Sequence, residues 1–197
     1  MKFSGLFLAV GLCLVVVGSS AEANEIFKFD QAHSTIAFKV RHMLGSAKGN
    51  FTKFSGTIEV DREHPEKSSV VATIQAASID TAIAKRDVHL RSADFFNVQQ
   101  YPEITFKSRR VKQTGANTGE ITGDFTMHGV TRAITLNVQL VADPAPAAKN
   151  TTTRWRVTTA PLKRSEFKLG WSKGVEIVAM IGEEVSVNVE IEAVLAR

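Results

Sequence analysis

Residues 134–140 read Ile134-Thr135-Leu136-Asn137-Val138-Gln139-Leu140, apolar at every even position and polar at every odd one. Successive side chains of an extended backbone point to opposite faces, so this stretch is a strand with one face in a core and one in water. The pattern returns on both sides. Upstream, Ile36, Phe38 and Val40 alternate with Thr35, Ala37, Lys39 and Arg41, and further segments run over 56–61, 70–76, 104–108 and 120–127. Downstream, segments cover 155–159, 175–178 and 185–192. Gly115-Ala116-Asn117 is a turn signal between two of them. Eight or nine strands follow, and only 80–96 resists alternation. That stretch, with Asp80 and Thr81 as N-cap residues and Ile83, Leu90 and Phe95 off any period of two, predicts one short helical segment. An all-β chain with antiparallel strands and one helix is a sandwich or a closed barrel. Inward small residues such as Ala72, Ala76, Gly123 and Ala179 suit a barrel with a retained cavity and a tightly packed sandwich alike.

The first 23 residues belong to neither. Lys2 precedes an apolar run from Phe3 to Val17, and Ala21-Glu22-Ala23 offers a small-x-small cleavage site. The run is shorter than the roughly 20 apolar residues a membrane span needs. Residues 1–23 therefore read as a signal peptide, and residues 24–197 as one secreted domain. The chain has 197 residues, a formal charge of +4 and one cysteine. That cysteine, Cys13, leaves with the leader. A thiol-free domain has no disulfide framework, thiol nucleophile, Cys-ligated zinc or iron–sulfur cluster.

The remaining chemistry is sparse. The five histidines, His33, His42, His64, His89 and His128, form no His-x-His or His-Glu-x-x-His pair. A metal site would need assembly through tertiary structure, and none is expected. Asp87-Val88-His89 is an acid/base pair in principle, but Asp87 and Arg91 have the i,i+4 spacing of a helical ion pair, so a polar network is the simpler reading. Ser34 follows His33 on opposite strand faces, which forbids a nucleophile–base contact. Neither a nucleophile elbow nor a phosphate loop is present, and no cofactor is implied. Lys39, Arg41, Lys48 and Lys53 read as a solvated face, with transient membrane-surface contact as the minority reading. Secretion and the lack of interleaved basic and aromatic residues speak against nucleic acid as a partner.

Several blocks occur in a characteristic order. Asp30-Gln31-Ala32-His33-Ser34 leads into Phe38-Lys39-Val40-Arg41-His42-Met43, then Gly49-Asn50-Phe51-Thr52-Lys53-Phe54-Ser55-Gly56. The longest block is Arg86-Asp87-Val88-His89-Leu90-Arg91-Ser92-Ala93-Asp94-Phe95-Phe96, followed by Tyr101-Pro102-Glu103-Ile104-Thr105-Phe106-Lys107-Ser108. Gly123-Asp124-Phe125-Thr126-Met127-His128-Gly129-Val130-Thr131 and Lys163-Arg164-Ser165-Glu166-Phe167 complete the set. The mature chain resembles the YceI family of bacterial periplasmic proteins over essentially its full length. Lys168 departs from that pattern, which has glycine after the Ser-acidic-Phe block, so the local turn there is open.

The resemblance implies an eight-stranded antiparallel, lipocalin-like β-barrel whose apolar interior holds a polyisoprenoid or similar long-chain lipid, with no catalysis and no metal. Its function would be transport or storage. The inward faces expected to line such a site are Phe38, Val40, Phe125, Met127, Ile134, Leu136, Val138, Val187, Val189 and Ile191. His42, Arg86 and His89 are expected near a polar head or mouth. Two other readings stay open: an enzyme using Asp87 and His89 in the cavity, and a stress-related periplasmic interaction protein with a vestigial pocket. The residues do not decide the oligomeric state.

Overall fold

A computed structural model describes residues 24–42, 45–142, 152–170 and 181–196. The signal segment expected at 1–23 and the strand expected at 175–178 lie outside the described residues. The elements are β1 (Glu25–Phe29), β2 (Thr35–His42), β3 (Gly45–Phe51), β4 (Phe54–Val60), β5 (Ser69–Gln75), β6 (Ile79–Asp80), α1 (Ala84–Arg91), β7 (Glu103–Gly115), β8 (Thr118–Met127), β9 (Val130–Ala142), β10 (Thr152–Thr159), β11 (Leu162–Lys163) and β12 (Glu184–Leu195).

Strands β1, β4, β5, β7, β8, β9, β10 and β12 pair in that order, and β12 pairs back to β1. The result is a closed, eight-stranded antiparallel barrel with, among the described residues, a single α-helix. Closure leaves no edge in the ring, which is how the alternating pattern is satisfied without a second sheet. Of the two architectures open to the sequence, the chain adopts the barrel. Register shifts between Ser108 and Arg110, and between Arg154 and Trp155, put irregularities where the long strands coil around the axis.

Two of the strands are broken and continue beyond the ring. β12 faces β1 through Ala193–Leu195 and β2 through Val185–Glu190, so β1 and β2 are two halves of one bent strand. The Asp30-Gln31-Ala32-His33-Ser34 block forms this elbow. Asp30 accepts from the Ala32 N–H at 3.0 Å, its other oxygen lies 2.8 Å from His33 Nδ1, and Ser34 Oγ accepts from the Glu192 N–H at 2.9 Å. β3 and β4 repeat the device around Thr52, whose N–H donates to the Ser78 carbonyl. The outer halves β2 and β3 carry β6 on their edge, and α1 follows on that side.

The helix forms as expected, but with other contacts. Ile83 occupies the N-cap position without a side-chain cap. Asp80 instead accepts from the Ala82 N–H, while Thr81 donates its N–H and hydroxyl to the buried Asp87 carboxylate at 3.0 and 2.5 Å. The expected Asp87–Arg91 ion pair gives way to this loop contact, and Arg91 donates to the Ala77 and Ile79 carbonyls. Both charges thus tie the helix to the strand before it, where unpaired backbone groups need partners more than a solvent-exposed ion pair does. Lys168 sits at φ 57°, and its N–H closes onto Arg164 and Ser165 carbonyls. The turn therefore forms in the left-handed conformation that suits glycine, with lysine in its place.

Candidate functional site: an apolar cavity through the barrel

The barrel encloses a cavity of about 930 Å³. Its wall is written by the period-2 pattern. Ile36, Phe38 and Val40 enter from β2, Phe125 and Met127 from β8, Ile134, Leu136, Val138 and Leu140 from β9, and Val187, Val189 and Ile191 from β12. Register carries each row across to its neighbour. Val187 lies opposite Phe38, Val189 opposite Ile36 and Val157, Ile191 opposite Trp155, and Leu136 opposite Ile121. All ten side chains expected on the inward face therefore stand around one space, which the packing leaves unfilled.

Sequence reading missed part of the wall. Phe51, Leu90, Phe95, Phe96, Ile104, Phe106 and Trp155 also line the space. Phe51 lies on β3, where Gly45, Ala47 and Gly49 hide the alternation. Leu90, Phe95 and Phe96 come from the helical region, where period-2 counting has no force. The Trp155 indole N–H donates to Thr153 Oγ1 at 3.0 Å, leaving its ring body toward the cavity. The small residues behave differently from one another. Ala72 lines the cavity, Ala76 is buried away from it, and Ala179 is outside the described residues. A Cβ on Gly123 would run into the Lys107 carbonyl of the neighbouring strand and meet the Phe106 ring at 2.6 Å, so this glycine makes room for that strand and its packed aromatic.

The two ends differ. At one end the β4–β5 loop and the β7–β8 hairpin contribute Asp61, Arg62, Ser68, Lys112, Gln113 and Asn117. Arg62 is paired to Glu25 at 2.5 Å and Lys112 to Glu120 at 3.8 Å. At the other end His42, Thr81, Arg86, Arg164, Leu169 and Ile181 close in. Arg86 donates from Nε to Thr81 Oγ1 at 2.8 Å and from Nη2 to the Thr81 carbonyl at 2.9 Å. Arg164, missed as a site residue although it stands in one of the characteristic blocks, is buried at 7% exposure. Its guanidinium donates to the carbonyls of Gly182, Leu169 and Ile181 and lies 3.7 Å from Glu183.

His42 and Arg86 thus take the expected place at an end of the cavity. His89 does not. It lies outside the lining on the half-exposed side of α1, with Nε2 3.9 Å from Asp94. Asp87 is also off the cavity wall, held by Thr81. The acid/base pair therefore does not converge on the interior.

Among the described residues, Asp30, His33 and Glu192 bring three ligand-type atoms within 4.8 Å of one another. These groups already have partners. His33 binds Asp30, and Glu192 accepts from Arg154 at 2.8 Å. The hydrogen bond to Asp30 raises the His33 pKa above the ordinary imidazole range, and the same bond from His33 lowers that of Asp30. The cluster is the fastener of the β1–β2 elbow on the barrel's outer side.

Comparison with known proteins agrees with this architecture. The YceI-like domain family matches residues 27–193. Protein YceI of Escherichia coli is 39% identical over 142 residues, covering 72% of this chain and 74% of its own. The crystal structure of BcnA from Burkholderia cenocepacia superposes with a TM-score of 0.74 at 25% identity, over 83% of this chain and 98% of that one. A polyisoprenoid binding domain from Saccharophagus degradans, implicated in plant cell wall breakdown, shares the fold with a TM-score of 0.62 at 18% identity. That match covers 86% of this chain and 98% of the other.

Proposed function

The chain belongs to the YceI family, and from that premise we propose that it is a periplasmic lipid-binding protein. It holds a polyisoprenoid or similarly long-chain amphiphile inside its barrel, for transport or storage, and performs no chemical step. The observation that carries this reading is the unfilled cavity of about 930 Å³ with its aliphatic and aromatic wall. The leader-like segment of 1–23 supports the compartment, and the polyisoprenoid binding domain of the same fold supports the ligand class.

The physical case is one of area and volume. An isoprenoid tail carries no hydrogen-bonding group, so only apolar burial and shape can hold it. The cavity equals the liquid volume of about thirty waters, and a chain carbon with its hydrogens needs about the same room. A tail of about thirty carbons, at about 0.8 kcal/mol per methylene, gives a gross term near 24 kcal/mol. That already exceeds the net ceiling of about −18 to −21 kcal/mol, so ordering of the tail and lost freedom consume much of it. A buried tail of this size is enough for tight binding without any specific polar contact. An interaction protein with a vestigial pocket calls for a filled interior, and the open barrel favours the lipid reading over it.

The test is a titration of delipidated protein with a polyprenol, read from Trp155, which lies in the wall, in a Trp171→Phe background. A saturable change in emission is expected. A linear, unsaturable response across the titration would overturn the proposal.

A further inference from the structure

The β2–β3 hairpin carries an arrangement of charge that neither the core nor the cavity requires. Phe38 and Val40 on β2 and Ala47 on β3 turn into the cavity. Lys39 and Lys48, which alternate with them, therefore turn outward, and both are exposed. The register sets Lys39 directly opposite Lys48. Two like charges at such a position repel each other and weaken the strand pair. Neither lysine has an ion pair among the described residues, and neither has the exposed Arg41 at the rim of the cavity. The carboxylates around the hairpin are engaged elsewhere. Glu184 of β12 faces Lys163 of β11, Glu190 pairs with Arg156 at 3.6 Å, and Asp80 of β6 accepts from the Ala82 N–H at 2.8 Å.

Lysine on an exposed sheet edge guards against unwanted strand pairing. That accounts for Lys48, because β6 covers the far side of β3 only at Asn50 and Phe51. It does not account for Lys39, whose strand is paired on both sides, to β12 and to β3. The segment that leaves β6 adds apolar side chains next to this edge. Ile83 and Val88 are the most exposed of the large apolar residues among those described, at 51% and 65%, and the exposed Lys85 stands between them in the chain. A soluble acidic partner would match the lysines alone. The surface of an anionic bilayer matches both features, its phosphates the cations and its acyl boundary the apolar side chains.

We infer that the outer face of the β2–β3 hairpin, with the Ile83–Val88 segment beside it, docks on the surface of an anionic phospholipid bilayer. This rests on the lipid-binding reading above and adds the face by which the barrel meets the membrane that holds its ligand.

The experiment is flotation of the protein with two kinds of vesicle, pure phosphatidylcholine and phosphatidylcholine mixed with an equal part of phosphatidylglycerol. The wild type is expected to float with the mixed vesicles only, and less so as salt rises. One lysine at an anionic surface corresponds to about fivefold in partitioning, so Lys39→Gln should lose about fivefold and Lys39→Gln/Lys48→Gln about thirtyfold. The control Lys28→Gln/Lys107→Gln, with the same loss of charge on the ring strands β1 and β7, should stay close to the wild type. Removing a repelling pair should leave the melting temperature of the hairpin variant no lower than that of the wild type. A wild type that ignores the mixed vesicles, or equal losses in the two double variants, overturns the inference. Retention on soluble polyglutamate without flotation assigns the face to an acidic protein and overturns it as well. Polyprenol titration of the same proteins keeps the two readings apart. Unchanged polyprenol uptake beside absent flotation leaves the lipid-binding function standing, whereas a wild type that takes up no polyprenol overturns that function itself.

Discussion

Replacing Val138 with tryptophan tests whether the barrel interior is open space. Val138 faces the cavity from the middle of β9, opposite Gly119 on β8 and Val157 on β10. The indole adds about seven carbon-sized atoms, which exclude about as many carbons of a ligand tail. At about 0.8 kcal/mol per methylene the gross loss is about 6 kcal/mol. If a third of this survives as net affinity, binding weakens by about 2 kcal/mol, or about thirtyfold in Kd. Stability should move the other way or stay still. A methylene-scale insertion into a packed core costs about 1–3 kcal/mol, whereas an indole entering an apolar void gains contacts. Val141→Trp, on the same strand but outward and 46% exposed, is the matched control and should leave affinity unchanged. The assay pairs a lipid titration with thermal melting of delipidated protein. A variant that binds like wild type, or one that melts several degrees lower before any lipid is added, would refute the reasoning.

Three further outcomes concern the frame around the cavity. Asp87→Ala strands the Thr81 N–H, which now donates to the Asp87 carboxylate; a lost buried acceptor costs about 1–3 kcal/mol, read as a lower urea midpoint, and an unchanged midpoint would mean water replaces the carboxylate. At the β1–β2 elbow, the raised His33 pKa contributes stability below the ordinary imidazole value and loses it as pH rises through the folded value. The lowered Asp30 pKa contributes above the ordinary carboxylate value and loses it as pH falls through the folded one. The pair therefore acts between those limits, and Asp30→Asn should bring the His33 titration, followed by NMR, back to the ordinary range. An unmoved midpoint would show that Asp30 is not the cause. Lys168→Gly relieves the left-handed backbone at φ 57° and should stabilise by about 0.5–1 kcal/mol once the added freedom of the unfolded chain is subtracted. A loss of stability in the same denaturation curve would show that the lysine side chain contributes more than the strain removes.

The cavity wall was legible to the extent that strands wrote it. On β2, β8, β9 and β12 a period of two separates inside from outside, and a barrel converts every inward row into lining. Phe51, Leu90 and the Phe95–Phe96 pair were not legible in this way, because glycine-rich strand and helix carry no such alternation. The broken strands also escaped notice. The Asp30-Gln31-Ala32-His33-Ser34 block has the residues of a turn, but only the pairing of β12 with both β1 and β2 shows that the turn bends one strand and does not join two separate ones. Charge was harder still. His89 and Arg86 stand three residues apart in one block, yet the helix sends Arg86 toward the cavity and His89 to its outer side. Arg164 gave no periodic signal at all, since its burial depends on carbonyls of Leu169, Ile181 and Gly182 that meet only in the folded chain.

The most direct measurement is extraction of the protein, purified without detergent from bacterial cells, with organic solvent, followed by quantitative mass spectrometry of the extract. A barrel that holds a long-chain isoprenoid should yield such a lipid in an amount approaching one molecule per chain from the wild type, and much less from Val138→Trp. Extracts free of long-chain lipid, from protein that also fails to take up added polyprenol, would contradict the account.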